Sequence, residues 1–161
     1  MDYKYYKQET DWTCGPACLR MYFSAIGGEC SEEDCEKVLN TKRPSKQRAT
    51  GSSEEEVGTS YKAFEEFAKG SKIKFIAKQG GEIIDLKKAL KKDLFVIVSY
   101  HIIKDNINHF AVVKIVNDKE IILNDPSYGK GKKIELKHFE KIWSIPARFS
   151  KEKNWFIAMG L

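Results

Sequence analysis

The sequence predicts an α+β fold in which N-terminal helices pack on an antiparallel β-sheet. Segments with helical caps and helical spacing occupy the first half of the chain, and short runs of β-branched and aromatic residues dominate the second half. Helices followed by strands are typical of this class. With 161 residues, 42% of them hydrophobic, the chain can build one core, and we expect a single domain over residues 1–161.

Three helices are expected in the first half, at about residues 14–25, 31–39 and 59–70. The glycines at 27 and 28 favour an end to the first helix. Ser31 precedes three acidic residues and is a typical N-cap for the second helix, and Thr59 or Ser60 can cap the third. The polar stretch 41–58 predicts a long, mobile loop near the functional site.

Strand patterns begin after residue 70. We expect strands at about residues 72–76, 94–98, 110–116, 121–123, 132–136 and 155–159, with helical segments at 83–92 and 138–143. The strand 94–98 is apolar throughout, which indicates a fully buried position in the sheet. Histidine 101 is expected to follow this strand and to face a polar loop.

One hairpin brings an acid beside a histidine. If residues 117–119 are its loop, the opposed pairs are Val113 with Leu123, Ile115 with Ile121, and Ala111 with Asp125. Apolar side chains then meet on one face, whereas a slip by one residue would set them against charges. In this register His109 lies diagonally across from Asp125, within reach of a long side chain. Asp125 could equally be a turn residue, since Pro126 follows it.

The stretch around Cys14 has the features of a reactive thiol. Cys14 comes directly before a helical segment, and a helix N-terminus favours the thiolate form of cysteine. Gly15 allows close approach to the backbone, and Pro16 suits the first helical turn. Gln8 could offer its amide to a developing oxyanion beside the backbone N–H of Cys14. A buried structural cysteine is the alternative interpretation.

A catalytic thiol requires a base, and the chain has three histidines. His138 lies in a lysine-rich segment, and His101 is expected beside a polar loop. His109 opens an apolar strand and has the predicted acidic neighbour, so it is the best candidate. A histidine at a strand end can also be purely structural.

The charge and the cysteines exclude several other classes. A net charge of +5, with lysines scattered among acids, does not indicate a nucleic-acid surface. The chain has no apolar run long enough to span a membrane and no signal-peptide pattern, so we expect a cytoplasmic protein. Its four cysteines are then expected to be reduced, with Cys18 in the core and no disulfide required. Their spacing is a poor zinc pattern, and we expect no metal and no cofactor.

Three motifs together resemble a known family. Gln8 with Cys14-Gly15-Pro16-Ala17, then His109-Phe110-Ala111-Val112-Val113, then Asn124-Asp125-Pro126, resemble the C39 family of papain-like cysteine peptidases. The order of these motifs and the Gln-to-Cys and His-to-Asp spacings match. The best-known members remove bacteriocin leader peptides after a Gly-Gly pair. The resemblance spans most of the chain, from Gln8 to Pro126.

The resemblance implies a papain-like fold and a cysteine peptidase that binds a peptide or protein substrate in an extended groove. It implies Cys14 as nucleophile, His109 as general base, Asp125 as the residue that orients the base, and Gln8 as the oxyanion-hole residue. Leader-processing members usually carry Asp before the cysteine, where this chain has Thr13, and are commonly fused to an ABC transporter. The chain therefore resembles standalone C39-like proteins more closely. An acyl or peptidyl transferase and a non-catalytic peptide-binding module remain alternatives.

Overall fold

The computed structural model describes residues 1–45 and 56–161. Its helices are α1 (Cys14–Ala25), α2 (Glu32–Val38), α3 (Tyr61–Gly70), α4 (Ile83–Lys91) and α5 (Leu136–Trp143). Its strands are β1 (Phe75–Lys78), β2 (Phe95–Ile102), β3 (Ile107–Val116), β4 (Glu120–Asp125), β5 (Gly129–Glu135) and β6 (Phe156–Met159). The predicted order of helices and strands is confirmed.

The strands form one sheet in the order β1-β6-β2-β3-β4-β5, and neighbouring strands run antiparallel. Every residue of β2 is buried. The reason is that both faces of the sheet are covered, so that neither set of alternating side chains reaches solvent. The predicted antiparallel sheet is therefore present, with β2 at its centre.

The helices divide between the two faces of the sheet. On one face, the buried side chains of α1 and α3 pack against Phe95 and Ile97 of β2. On the other face, Leu86 of α4 and Phe139 of α5 pack against Val96 and Val98. Packing of the N-terminal helices on the sheet is confirmed, whereas the second helical layer was not part of the prediction.

Helix α1 has the predicted bounds because its ends follow local rules. Pro16 lies in the first turn, where a missing N–H leaves no hydrogen bond unmade. Gly27 adopts a left-handed conformation with φ of 77° just beyond the last turn, which a residue with a side chain adopts less readily. The hydroxyls of Ser31 and Ser60 accept the backbone N–H groups of Asp34 and Ala63, so both predicted N-caps are present.

Two strand predictions need correction. The strand expected at 72–76 begins only at Phe75, because Lys72 has a φ of 58° and belongs to the turn that ends α3. Strand β2 continues to Ile102, so His101 lies buried within the strand and does not face a polar loop. The imidazole Nδ1 of His101 lies 3.3 Å from the amide oxygen of Asn108 on β3.

The β3–β4 hairpin has the predicted loop but not the whole predicted register. Val113 pairs with Leu123 as expected, but Ile115 pairs with Ile122 instead of Ile121. The register shifts between Val113 and Ile115, which is typical of a β-bulge with one extra residue on one strand. Beyond the bulge the paired residues are still apolar, Ile115 with Ile122 and Val116 with Ile121, although Ile115 is 44% exposed.

The loop expected at 41–58 is only partly described, since residues 46–55 lie outside the described part of the chain. Its two ends are joined by an antiparallel bridge between Lys42 and Gly58. The expected mobility concerns mainly the undescribed residues. Among the described ranges, none of the helices has the length and apolar character needed to cross a bilayer.

Candidate active site

Cys14 is the first residue of α1, where the N–H groups of the first turn have no partner within the helix. Its side chain is largely buried, with 9% exposure. The preceding turn is fixed by the buried Thr13, whose hydroxyl donates to the carbonyl of Thr10 and accepts the Thr10 N–H. This arrangement holds the thiol at a position where the helix end stabilises negative charge.

Gly15 allows a second segment to approach the start of α1. A Cβ at this position would lie 2.5 Å from the hydroxyl oxygen and 2.8 Å from the Cβ of Thr59. The Thr59 side chain is itself held by a 2.8 Å hydrogen bond with Thr41. A side chain at residue 15 would therefore displace the segment that lies beside the nucleophile candidate.

His109 and Asp125 are in direct contact. His109 lies on β3 and Asp125 ends β4, and the imidazole Nε2 is 2.8 Å from Oδ1 of Asp125. Both side chains are buried, with exposures of 3% and 0%. An ionised carboxylate only accepts hydrogen bonds, so Nε2 carries the proton in this pair. The Cys14 side chain is near enough to raise the pKa of the His109 imidazole, and both residues line the same cleft.

Two opposing effects set the pKa of His109. Burial alone would lower it, but the hydrogen bonds and charges of Asp125 and Cys14 outweigh burial and raise the pKa to about 9. For Asp125, burial alone would raise the pKa, and the hydrogen bonds from His109 and Tyr100 hold it below its usual value. The site therefore favours an imidazolium next to a carboxylate at neutral pH.

The Asp125 carboxylate is fixed on both oxygens. Oδ1 also accepts the backbone N–H groups of Ser127 and Tyr128, each at 2.9 Å. Oδ2 accepts a hydrogen bond from the hydroxyl of Tyr100 on β2. Burial and the nearby carboxylate raise the pKa of Tyr100, which keeps its hydroxyl protonated as a donor. With this many donors the carboxylate has one defined orientation toward His109.

Lys132 extends this network from β5. Its ammonium group donates to the Tyr100 hydroxyl at 2.9 Å and lies 3.8 Å from Oδ2 of Asp125. It also lies 3.9 Å from the ring centroid of Tyr128, which makes a T-shaped contact with the His109 ring. Burial lowers the pKa of Lys132. The ammonium group thus places a second positive charge near the Asp125 carboxylate.

Tyr100 and Lys132 were not identified from the sequence. One available signal was the polar turn at 103–106, because a hairpin centred there sets Tyr100 opposite His109, as the structure has it. No comparable signal marks Lys132, which is one of several lysines on β5.

Gln8 connects the loop before Cys14 to the loop after Asp125. Its backbone N–H donates to the carbonyl of Pro126 at 3.0 Å, and its side-chain oxygen accepts the Ser127 hydroxyl at 2.6 Å. The amide nitrogen donates one of its two hydrogens to the carbonyl of Thr10 at 2.6 Å. Gln8 therefore fixes the relative position of the two loops, and one amide hydrogen remains for another acceptor.

The remaining cysteines and histidines do not join this cluster. All four cysteines are free thiols, and Cys18 is fully buried in the core, as predicted. Burial raises the pKa of Cys18 well above its usual value, which makes it a poor nucleophile. Over the part of the chain that the structure describes, no group of three or more His, Cys, Asp or Glu side chains is arranged to hold a metal ion.

A cleft of about 330 Å³ opens beside Cys14 and His109. It lies between the segment 56–61, the start of β3 and the segment 147–150. Trp12, Tyr61 and Phe110 supply aromatic surface to its wall. A substrate could therefore reach the thiol and the imidazole from one side.

Comparisons with known proteins address the family and the fold. The sequence model of the Peptidase_C39 like family matches residues 1–149. No curated protein matches the chain significantly.

Several solved structures resemble the fold along almost its whole length. The peptidase domain of Streptococcus ComA, an ABC transporter, has a TM-score of 0.67 at 20% identity, covering 99% of this chain and 98% of that one. A Bacillus anthracis protein described as a C39-like peptidase has a TM-score of 0.69 at 14% identity, with coverages of 99% and 95%. A double glycine motif protease from an AMS/PCAT transporter, solved with its leader peptide, has a TM-score of 0.64 at 19% identity, with coverages of 99% and 93%. At these identities the likeness establishes the fold.

Proposed function

The chain belongs to the Peptidase_C39 like family, and on that premise we propose that it is a cysteine peptidase. In this proposal Cys14 is the nucleophile, His109 the general base and acid, Asp125 the residue that orients His109, and Gln8 an oxyanion donor. The substrate is a peptide or protein segment bound in an extended groove that includes the cleft beside Cys14.

The observation that carries the proposal is the hydrogen-bonded pair of His109 and Asp125 in the cleft that Cys14 also lines. Asp125 and Cys14 both raise the pKa of His109 and so favour its charged form, and a charged imidazolium stabilises a neighbouring thiolate. The thiolate is the reactive form of cysteine. The position of Cys14 at the start of α1 also favours the thiolate, because a helix N-terminus stabilises negative charge.

The proposed reaction proceeds through a thioester. The Cys14 sulfur attacks the peptide carbonyl carbon, and the carbonyl oxygen becomes an oxyanion beside the Cys14 backbone N–H and the free amide hydrogen of Gln8. The imidazolium of His109 gives its proton to the leaving amine as the carbon–nitrogen bond breaks. Neutral His109 then takes a proton from a water molecule, whose oxygen attacks the thioester. The acid product leaves, and the thiolate–imidazolium pair is restored.

The network around Asp125 supports this role. Imidazole must keep one orientation through both proton transfers, and the hydrogen bond of Nε2 to Asp125 fixes the ring. In this proposal Nδ1 is the nitrogen that exchanges protons on the Cys14 side. The donors on Asp125 fix the carboxylate in turn. A structural cysteine at a helix start would require none of these contacts.

The proposal is tested by peptide cleavage and by trapping. Purified protein is incubated with a mixed peptide library and the products are identified by mass spectrometry, with Cys14→Ala as the inactive comparison. We expect new peptide termini with the wild-type protein only, and a stable peptide complex with Cys14→Ala. A transferase would instead release products joined to an added amine. A binding module would retain peptides with both proteins and cleave none.

A further inference from the structure

The cleft beside Cys14 has a larger volume than a peptide segment without side chains would need. Its volume is about 330 Å³, at the small end of the range for ligand sites in proteins. Two adjacent residues without side chains would fill only part of it. The large apolar side chains on its wall are Trp12, Val57, Tyr61, Ile107, Phe110 and Phe149. An empty surface of this kind gains free energy when an apolar group covers it.

The inner wall of the cleft is rigid. The Tyr61 ring stacks on Trp155 with a centroid distance of 4.6 Å, and its edge meets Phe110 at 5.7 Å. The Tyr61 hydroxyl donates to Ser99 at 3.0 Å and accepts from the amide of Asn108 at 3.4 Å. A pocket whose aromatic wall is already fixed loses little entropy when a ligand enters.

The outer wall is exposed and apolar. Ile107 at the start of β3 is 47% exposed, and Phe149 is 48% exposed. The guanidinium carbon of Arg148 lies 5.4 Å from the centroid of the Phe149 ring. Large exposed apolar side chains that line a cleft beside a nucleophile candidate form a surface that a bound side chain could cover.

From these observations we propose that the cleft binds a large apolar side chain of the substrate, aromatic or branched aliphatic, from a residue next to the scissile bond. The preferred substrates are then peptides with such a residue at this position and not peptides with two glycines there. This inference rests on the proposed function for the location of the scissile bond, which lies at Cys14. The cleft is lined by Cys14 and His109 as well, so the side chain and the reacting carbonyl occupy one continuous site.

The first test compares two affinity labels that differ only in the side chain next to the reactive carbon. Acylated phenylalanine and glycine chloromethyl ketones alkylate a reactive cysteine, and the rate of Cys14 labelling is followed by mass spectrometry. We expect the phenylalanine reagent to react at least about tenfold faster, since filling an apolar pocket with a large side chain is worth a factor of ten or more. Equal rates would overturn the proposal.

Ile107→Ala and Ile115→Ala form a matched pair of variants. Both residues are isoleucines on β3 with similar exposures of 47% and 44%, but only Ile107 lines the cleft. We expect Ile107→Ala and Phe149→Ala to reduce the ratio of the phenylalanine rate to the glycine rate. Ile115→Ala should leave the ratio unchanged. If the ratio of the phenylalanine rate to the glycine rate falls equally in all three variants, the cleft is not a specific pocket for the substrate side chain.

A second measurement separates this inference from the proposed function. Blocked phenylalanine and glycine peptides are titrated into Cys14→Ala, and chemical shifts of the aromatic protons are recorded by NMR. We expect the phenylalanine peptide alone to shift the Tyr61 and Phe110 signals, even if Cys14 proves unreactive in the wild-type protein. If iodoacetamide labels Cys14 rapidly but neither peptide shifts these signals, the pocket assignment is wrong and the nucleophile assignment stands.

Discussion

His109 is the residue on which the site depends, because it is hydrogen-bonded to Asp125 and its pKa is raised by both Asp125 and Cys14. Its charge state follows from buried neighbours, since Asp125 and Cys14 overcome the cost of burying the imidazolium. The hydrogen bond to Asp125 gives the ring one orientation, with a proton on Nε2. The charge state and the orientation of the His109 ring can each be measured at individual atoms of the ring.

The first prediction concerns the titration of His109. NMR titration of the His109 imidazole protons should give a pKa of about 9. Cys14→Ala and Asp125→Asn should each lower the pKa of His109, because each removes an interaction that favours the imidazolium. A pKa of His109 that is unchanged in both variants would show that these contacts are absent in solution.

The second prediction concerns Gln8, which has two separable roles. Gln8→Ala and Gln8→Glu both remove the amide donor, and we expect peptide turnover to fall by roughly 100-fold in each. Ser127→Ala removes the 2.6 Å hydrogen bond to Gln8 but keeps the amide, so its loss should be much smaller. Alkylation of Cys14 by iodoacetamide should remain close to the wild-type rate in Gln8→Ala, which adds no charge beside the thiol. A loss in Ser127→Ala as large as in Gln8→Ala would assign Gln8 to loop positioning alone.

At the scale of elements, the site is assembled where three segments meet. Helix α1 carries Cys14, and the β3–β4 hairpin carries His109 and Asp125. In the segment before α3, the side chain of Thr59 packs closely against Gly15 at the start of α1. On the other side of α1, the buried Glu32 of α2 accepts the backbone N–H of Glu9 at 2.7 Å and holds the loop between Gln8 and Cys14. The start of α1 is therefore supported from two sides.

The third prediction tests the close packing at this helix start. Gly15→Ala should destabilise the fold by about 1–3 kcal/mol in chemical denaturation, because the new methyl group overlaps the Thr59 side chain. Thr59→Gly in the same chain should recover part of the loss. Gly70→Ala is the matched control, since a Cβ at this helical position meets no atom within 4 Å. Equal effects of the two alanine substitutions would mean that Thr59 does not pack against α1 as described.

The β3–β4 hairpin shows which structural features could be predicted from the sequence and which could not. Apolar matching places Val113 opposite Leu123 and brings Asp125 within reach of His109, and both features are present. The bulge beyond Val113 could not be predicted, because the apolar residues on both strands allow either pairing there. Tyr100 and Lys132 were not predicted as site residues. Their positions depend on the registers of the β2–β3 and β4–β5 pairs, and neither register was predicted from the sequence.

At the scale of the whole molecule, the α+β class and the packing of α1 on the sheet followed from the order of elements and from caps such as Ser31 and Ser60. The covering of the second face by α4 and α5 was not predicted, although the uninterrupted apolar run at 94–98 indicated a fully buried strand. A strand buried on both faces requires a layer on each side. The apolar strand at 94–98 therefore indicated that a second layer would cover the other face of the sheet.

The fourth prediction links the site to the stability of the whole fold. The pKa of His109 is raised in the folded state to about 9, from about 6.5 when unfolded. The resulting stabilisation is complete at pH values below 6.5 and is lost as the pH rises through about 9. Between these limits we expect the wild-type protein to lose roughly 3 kcal/mol relative to His109→Gln. Urea denaturation at several pH values measures the difference, and parallel pH profiles for the two proteins would contradict it.

The most direct test of the central claim is the alkylation rate of Cys14 at neutral pH, followed residue by residue with iodoacetamide and mass spectrometry. Cys30 is the internal comparison, because it is a free and partly exposed thiol. We predict that Cys14 reacts at least about tenfold faster than Cys30, that His109→Ala abolishes this advantage, and that Asp125→Asn reduces it in part. If Cys14 reacts no faster than Cys30 and His109→Ala changes nothing, the chain has no activated nucleophile and the peptidase proposal is wrong.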